Sequence, residues 1–366
     1  MKTRRDFLGA AAGLAGVAFT SCSLLAPHAA HAQGRRVVTV GGKRMKVVDI
    51  HAHCVIPEAL SLAGLKVGQG TLRPDLVIGD TLAKRLADMD AQGIDIEALS
   101  INAFWYGQPR DVAQKICQVQ NEKLAELCAK SPDRFVAFAS VALQHPDLAA
   151  QQLEEGVKKY GLKGAGIGGS VAGMELSDPK LHPFWAKVEA LGVPVFIHPQ
   201  SDGASKEIGQ RLKGNGALEN VIGYPLETTI ALSHLIFEGS LDRFPGLKII
   251  AAHGGGYLPS YAARQDVGCS TRQNGCPGGP HGPIKKTPSE YLKQMFYDTM
   301  VFTPEGLRHL AAEVGASQLM LGTDYPFPWT KTAVDHILAG PGFSDAQKAA
   351  VLQDNAAKLL GINVVG

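Results

Sequence analysis

The chain has 366 residues, 45% of them hydrophobic and 19% charged, an ordinary globular composition with ample length for one large core. Its net charge of +2 is the excess of Lys2, Arg4 and Arg5 over Asp6. Everything beyond residue 32 is therefore balanced and gives no electrostatic case for a nucleic-acid partner. The first 32 residues read as a targeting segment. Arg4-Arg5-Asp6-Phe7-Leu8 is a twin-arginine pattern, the stretch from Gly9 to Phe19 is apolar, and Ala30-His31-Ala32 offers small residues for cleavage after Ala32. The apolar stretch spans about 11 residues against the ~20 a bilayer crossing needs, which favours an export signal over an anchor. Cys22, preceded by Phe-Thr-Ser, makes a poor lipoprotein site. The expected partner is the twin-arginine export machinery, and the expected location of the mature domain, 33–366, is the periplasm.

Beyond residue 36, strand-like and helix-like stretches alternate. Strands are expected at 46–53, 96–102, 135–143, 164–170, 194–199, 247–253, 295–301 and 318–323. Helices are expected at 80–93, 109–130, 147–160, 179–192, 226–240, 304–314, 331–338 and 344–360. Most of the strand segments are continuous apolar runs, as in a parallel sheet covered on both faces. Eight strands with helical crossovers predict an α/β fold, a single-domain (β/α)8 TIM-type barrel, with an open doubly wound sheet as the alternative. The Gly- and Pro-rich stretch 267–289 predicts a long loop serving as lid or interface. It holds Cys269 and Cys276, which either pair or stay as two thiols. Cys117 and Cys128, eleven apart on one helix, stand ~16 Å apart along its axis and are too distant to bridge.

Four strand segments end on side chains that carry chemistry: Val-Val-Asp-Ile-His51-Ala-His53, Val-Phe-Ile-His198-Pro, Ile-Ile-Ala-Ala-His253-Gly-Gly-Gly and Leu-Met-Leu-Gly-Thr-Asp324. By count they are strands one, five, six and eight, and each ends on the rim where barrel enzymes place their sites. His51 and His53, two apart on a strand, point to the same face. An isolated His-x-His is weak evidence; His198 and Asp324 on the same rim strengthen it. Three nitrogens and one carboxylate oxygen make a mononuclear site with an open position for water, suited to Zn, with Mn, Fe or Co as alternatives. His253 is left over for proton transfer, acting beside Asp324, and its three following glycines let substrate come close. The competing reading of His253 is a core histidine before a tight turn. Cys54 points to the opposite face of the strand from His53 and is not counted as a ligand.

Together these motifs, with Gly-Tyr-Pro-Leu-Glu227-Thr-Thr and Gly-Thr-Asp324-Tyr-Pro-Phe-Pro, resemble the amidohydrolase superfamily, and within it the branch of aminocarboxymuconate-semialdehyde decarboxylase and related metal-dependent decarboxylases. The resemblance implies that His51, His53, His198 and Asp324 hold a catalytic Zn and that His253 is the acid/base. It implies that Arg264 reaches the site of a neighbouring subunit in a homodimer and grips a substrate carboxylate; a surface salt bridge is the alternative role. Two-metal relatives carry a lysine on the fourth strand, where this chain reads Gly-Ala-Gly-Ile-Gly-Gly-Ser with Lys163 before it, so one ion is expected. Gln200 stands where the family decarboxylase has tryptophan, and within the stretch 54–80 Arg73 is the candidate to match an arginine that the family uses there. Gln200 and Trp105 are expected near the substrate, Trp105 either stacking on a planar ring or packing at the rim. The implied activity is non-oxidative decarboxylation of an aromatic or unsaturated carboxylic acid, using metal-activated water. A hydrolase of an amide, ester or lactone, or a hydratase, is the alternative on the same site. A non-catalytic periplasmic metal- or solute-binding protein is the alternative outside it.

Overall fold

Strands form where apolar, mostly β-branched and aromatic residues run unbroken, and in the computed structural model those of the central sheet are all parallel around one ring. The structure describes residues 34–70, 72–200, 206–272, 284–340 and 342–364; the expected export signal and Cys276 lie outside them. A hairpin of β1 (Val38–Val40) and β2 (Lys43–Met45) comes first. The ring then takes β3 (Val48–His53), β4 (Ile96–Ser100), β5 (Phe135–Ala137), β6 (Ala139–Ser140) and β7 (Ala165–Gly168). A second hairpin, β8 (Ser170–Val171) with β9 (Met174–Glu175), precedes β10 (Pro194–His198), β11 (Lys248–Ala251), β12 (Phe296–Asp298) and β13 (Leu319–Met320).

The expected third strand, 135–143, is two pieces. It breaks at Phe138, whose N–H goes to the Leu99 carbonyl while the Ala139 N–H goes to Gly164. The strand thus hands its pairing from β4 to β7, and the two ladders β3-β4-β5 and β6-β7-β10-β11-β12-β13 become continuous. The ring closes between β3 and the segment after β13. Ile50 N–H donates to the Leu321 carbonyl at 2.9 Å, Asp324 N–H to His51 at 2.8 Å and His53 N–H to Tyr325 at 2.7 Å. These bonds leave no open edge and decide for the barrel over the open sheet.

Val48, Ile50, Ile96, Ala98, Phe196 and Ile250 fill the barrel beneath the site, with Leu359 and Leu360 packed on them. A larger apolar layer lies between strands and helices. Helices start on proline at Pro146 and Pro304, where a missing N–H costs nothing. The helix Ile78–Gln92 stops at Gly93 with φ 77°, a left-handed cap. The expected closing helix, 344–360, is divided by a π turn at Ala350–Asp354, and Leu321 N–H takes the Val351 carbonyl there. The expected loop 267–289 needs correction. A helix, Ala262–Arg272, runs into its first part and another, Pro288–Leu292, holds its end, because the Gly/Pro composition of the middle masked helix-compatible flanks. Arg35–Gly366 form one compact unit. No described helix is long and apolar enough to cross a membrane.

Candidate metal centre

Five strand ends bring the site together. In β3 the pairing register with β4 shifts between Asp49 and Ala52. Val48 and Ile50 belong to the inner apolar cluster, and the irregularity between Asp49 and Ala52 spans Ile50 and His51, with both imidazoles meeting the β10 histidine. The His51 ring centroid lies 4.8 Å from His53 and 5.1 Å from His198, and His53 lies 4.5 Å from His198. Single donor atoms of His51, His198, His253 and Asp324 all lie within 4.8 Å of one another. His53 joins them: its Nε2 is 2.9 Å from His51 Nε2 and 2.9 Å from Asp324 Oδ1.

The far sides of the rings are tied down. His51 Nδ1 contacts Asp298 Oδ2 at 2.6 Å, His53 Nδ1 contacts Ser100 Oγ at 3.1 Å, and His198 Nδ1 donates to the Pro199 carbonyl at 2.7 Å. Each Nε2 is thereby turned into the cluster, the pattern that fixes tautomer and orientation in metal-binding histidines. His198 Nε2 is buried with no hydrogen-bond partner among the described residues, and Asp324 Oδ1 is faced by the Nε2 atoms of both His51 and His53, at 3.2 and 2.9 Å. Buried polar atoms left facing one another in this way fit a divalent ion. Cys54 is buried and its thiol pushed up to about 12, first by burial, so it stays a thiol and not a thiolate ligand.

Asp298, which ends β12, is the hub that sequence reading missed. It also accepts from His253 N–H and Gly254 N–H at 2.8 Å and from Met300 N–H at 3.0 Å. The rule that found the other residues, a polar side chain ending an apolar strand, applies equally to Phe-Tyr-Asp298. Asp49 plays a similar part at the seam, accepting from His51 N–H and from Thr323 Oγ1. His253 and Asp324 both sit at left-handed φ, 54° and 58°, a conformation of about 1–3 kcal/mol cost for such residues. The glycines after His253 serve the turn itself, and Gly256 also lines the cavity that His253 faces. Gly256 has φ 66°, and a Cβ there would fall 2.2 Å from the Pro225 carbonyl oxygen. At Gly322 a Cβ would fall 2.7 Å from that of Asp298 and 3.1 Å from that of His51.

Charge within the cluster is divided. Burial opposes a charged His51, but Asp324 and Asp298 outweigh it and raise the imidazole to about 10. Burial lowers His53 to about 4 and holds His198 well below its ordinary value. Burial would raise Asp324, yet His51, His253 and His53 hold it well below the usual carboxylate range. Asp49, by contrast, is raised to about 7 by burial and then by the charge of Glu97.

The amidohydrolase family profile matches residues 48–362, from β3 to the end of the last helix. The chain belongs to the amidohydrolase family. The 2-amino-3-carboxymuconate-6-semialdehyde decarboxylase of Dictyostelium discoideum is 32% identical to it over 283 residues, 76% of each chain. The solved 5-carboxyvanillate decarboxylase from Sphingomonas paucimobilis superposes with a TM-score of 0.78 at 26% identity, over 87% of this chain and 100% of that one. A dihydroxybenzoic acid decarboxylase from Polaromonas sp. JS666, with bound manganese and the inhibitor 2-nitroresorcinol, superposes with a TM-score of 0.75 at 27% identity, over 87% and 97%.

In this amidohydrolase two adjoining cavities open over the cluster, sharing Asn220, Tyr224, Asp324 and Trp329. The smaller, ≈ 80 Å³, reaches His53, His198, Asn102 and Phe327. The larger, ≈ 610 Å³, reaches His253, Tyr257, Met300 and Phe302. Trp105 lines neither. It is fully buried and its indole N–H donates to the Val141 carbonyl at 2.9 Å, so the expectation that it meets substrate is corrected: it is core. The aromatic role at the mouth falls to Phe302 and Trp329, exposed 59% and 41%, with ring centroids 6.2 Å apart. Gln200 is beside His198 but outside both linings. Its N–H donates to Glu227 Oε2 at 2.6 Å, and its Nε2 is buried without a partner among the described residues. Arg73 is held by Asp75 and lines neither cavity. Arg264 is exposed on the helix Ala262–Arg272, lines neither cavity of its own chain, and has no ion pair among the described residues. The alternative role, a surface salt bridge, is not formed among the described residues.

Proposed function

We propose that this amidohydrolase removes CO2 from an aromatic or unsaturated carboxylic acid without oxidation. One observation carries the reading: His253 and Asp324 stand together on the wall of an aromatic-lined cavity directly over the histidine cluster. Decarboxylase relatives support it. His51, His53, His198 and Asp324 would hold one divalent ion. Zn²⁺ suits the donor set, and manganese is the ion of one neighbour. Such an ion polarises a bound oxygen and lowers the pKa of its water to ~7.

The rest falls to the chain. Tyr224, Phe302 and Trp329 offer ring faces to a planar substrate. His253 Nε2, 3.6 Å from Asp324 Oδ2, delivers a proton to the carbon bearing the carboxylate. The bond to the carboxylate then breaks, its electron pair stays on the carbon, and CO2 leaves. Asp324, held anionic, orients the imidazole. Purified from a periplasmic fraction with Gln33 as first residue, the metal-loaded protein is expected to release CO2 from one or more hydroxy- or methoxybenzoates. A new carboxylate from an amide, ester or lactone, with no CO2 from any acid, would establish the hydrolase instead. A protein retained in the cytoplasm would sink the export reading.

No lysine or arginine lines either cavity among the described residues, so a substrate carboxylate lacks a guanidinium partner within one copy. Arg264 of a second copy would supply it, and the exposed Tyr261 and Val267 on either side give that helix an apolar contact face. The protein is expected to sediment as a dimer. Arg264→Ala should raise KM by roughly 10- to 100-fold, as for a lost charged hydrogen bond of about 1.5–3 kcal/mol. A monomer with full activity, or an unchanged KM in the variant, would remove Arg264 from the site.

A further inference from the structure

Against the backbone of His53 lies a fully buried guanidinium. Arg85, on the helix Ile78–Gln92, donates through Nη1 to Glu97 Oε2 at 2.7 Å and through Nη2 to the His53 carbonyl. Its guanidinium carbon stands 4.7 Å from the centroid of the Tyr325 ring. Tyr325 in turn accepts the His53 N–H on its carbonyl at 2.7 Å, and its hydroxyl donates to Asp88 Oδ2 at 2.8 Å, one turn further along the same helix.

Both backbone groups of His53 are thus held, one by Arg85 and one by Tyr325. Tyr325 immediately follows Asp324, whose backbone is in the left-handed region. These two residues meet across the seam of the barrel, where no ladder of regular strand pairs fixes them; only the single bridge Ala52–Tyr325 is formed. The arrangement is an expensive way to fill space. Arg85 Nε and Glu97 Oε1 have no hydrogen-bond partners among the described residues, and well-packed apolar residues commonly replace a buried ion pair without loss of stability. A planar, always-charged fork does what an apolar pair cannot, which is to direct one carbonyl and one ring at once.

We propose that Arg85 and Tyr325 are positioning residues that clamp His53 to Asp324 across the barrel seam and thereby set the affinity and geometry of the ion site. The inference rests on the metal-site reading above. The test is titration of chelator-stripped full-length mature protein with Zn²⁺, together with the visible spectrum of the Co²⁺ form and the melting temperature of the stripped form. Arg85→Met combined with Glu97→Leu removes both buried charges. Tyr325→Leu removes the ring, and Tyr325→Phe restores it without the hydroxyl. The double variant and Tyr325→Leu are expected to bind Zn²⁺ about 10- to 100-fold more weakly, as when outer partners of metal ligands are removed, and to shift the Co²⁺ spectrum, while the stripped forms melt near the parent. Tyr325→Phe should recover most of the affinity. Parental affinity and spectrum in both variants, or losses that only track a fall in melting temperature, would overturn the clamp. A parent that takes up no ion would instead overturn the site reading, and this inference with it.

Discussion

His198→Ala is expected to empty the metal site while leaving the barrel standing. The imidazole is buried at the end of β10, its Nδ1–H spent on the adjacent Pro199 carbonyl and its Nε2 without a hydrogen-bond partner among the described residues. No other described side chain depends on it for a hydrogen bond, so the variant should fold. Its Nε2 is also held neutral by burial, and a neutral imidazole is the form that ligates. Loss of a ligand should exceed the 10- to 100-fold typical of outer partners, so affinity should fall by more than ~100-fold and activity with it. Elemental analysis after dialysis would check this, against a parent expected to hold about one ion per chain. The same titration reports its pH dependence. His51 is the imidazole whose pKa is raised, to about 10, whereas His53 and His198 are already neutral and Asp324 already ionised at pH 7. The ion must displace the His51 proton from Nε2, while Nδ1–H remains on Asp298. Binding should therefore release about one proton near neutrality and tighten as pH rises toward 10. Full ion content in His198→Ala would place the ion elsewhere.

Why so much of this site could be read from the chain, and where reading stopped, follows from how barrels encode their rims. A parallel strand buried on both faces is a continuous apolar run, so a histidine or aspartate ending one stands out: His51, His53, His198, His253 and Asp324 all did, and all converge. Family motifs over the same residues agreed, and the profile extends that agreement to the whole barrel. Asp298 obeys the same rule in the structure, where β12 ends on it, but the expected strand 295–301 runs on through Thr-Met-Val and puts Asp298 in mid-strand, where it does not stand out as a strand end. Loop direction is another matter. Trp105 and Trp329 each follow a strand end in sequence, and nothing in the spacing says which turns into the core and which overhangs the cavity. The choice is made by a long-range partner, the Val141 carbonyl 36 positions away for Trp105. Arg85 was invisible for the same reason. On a helix wheel it is one charged residue among several, and only the packed barrel shows that it is buried beneath His53. The break at Phe138 likewise depends on two neighbours at once, Leu99 and Gly164, and no local pattern records a strand changing partners.

His253→Ala is expected to keep the ion and lose the chemistry. Geometry leaves the imidazole two roles, since one donor atom each from His51, His198, His253 and Asp324 fits within 4.8 Å. His53 competes for the same place with shorter approaches, 2.9 Å to both His51 Nε2 and Asp324 Oδ1, against 3.6 Å from His253 Nε2 to Asp324 Oδ2. With His51, His53, His198 and Asp324 as the ion's donors, His253 is free to face the larger cavity, which it lines and His53 does not. Its backbone N–H on Asp298 holds it on the rim regardless of what its ring does, so removing the ring should disturb little else. A lost general acid of this kind lowers turnover by roughly 10²- to 10⁴-fold. Because the ion and the aromatic walls remain, the loss should fall on kcat, with KM near the parent value. The paired measurement is ion content and steady-state kinetics on the same sample. An ion lost with the ring would make His253 a ligand and pass the proton transfer to another group. An ion kept with full turnover would leave His253 without a chemical role and return it to a core histidine before a glycine turn.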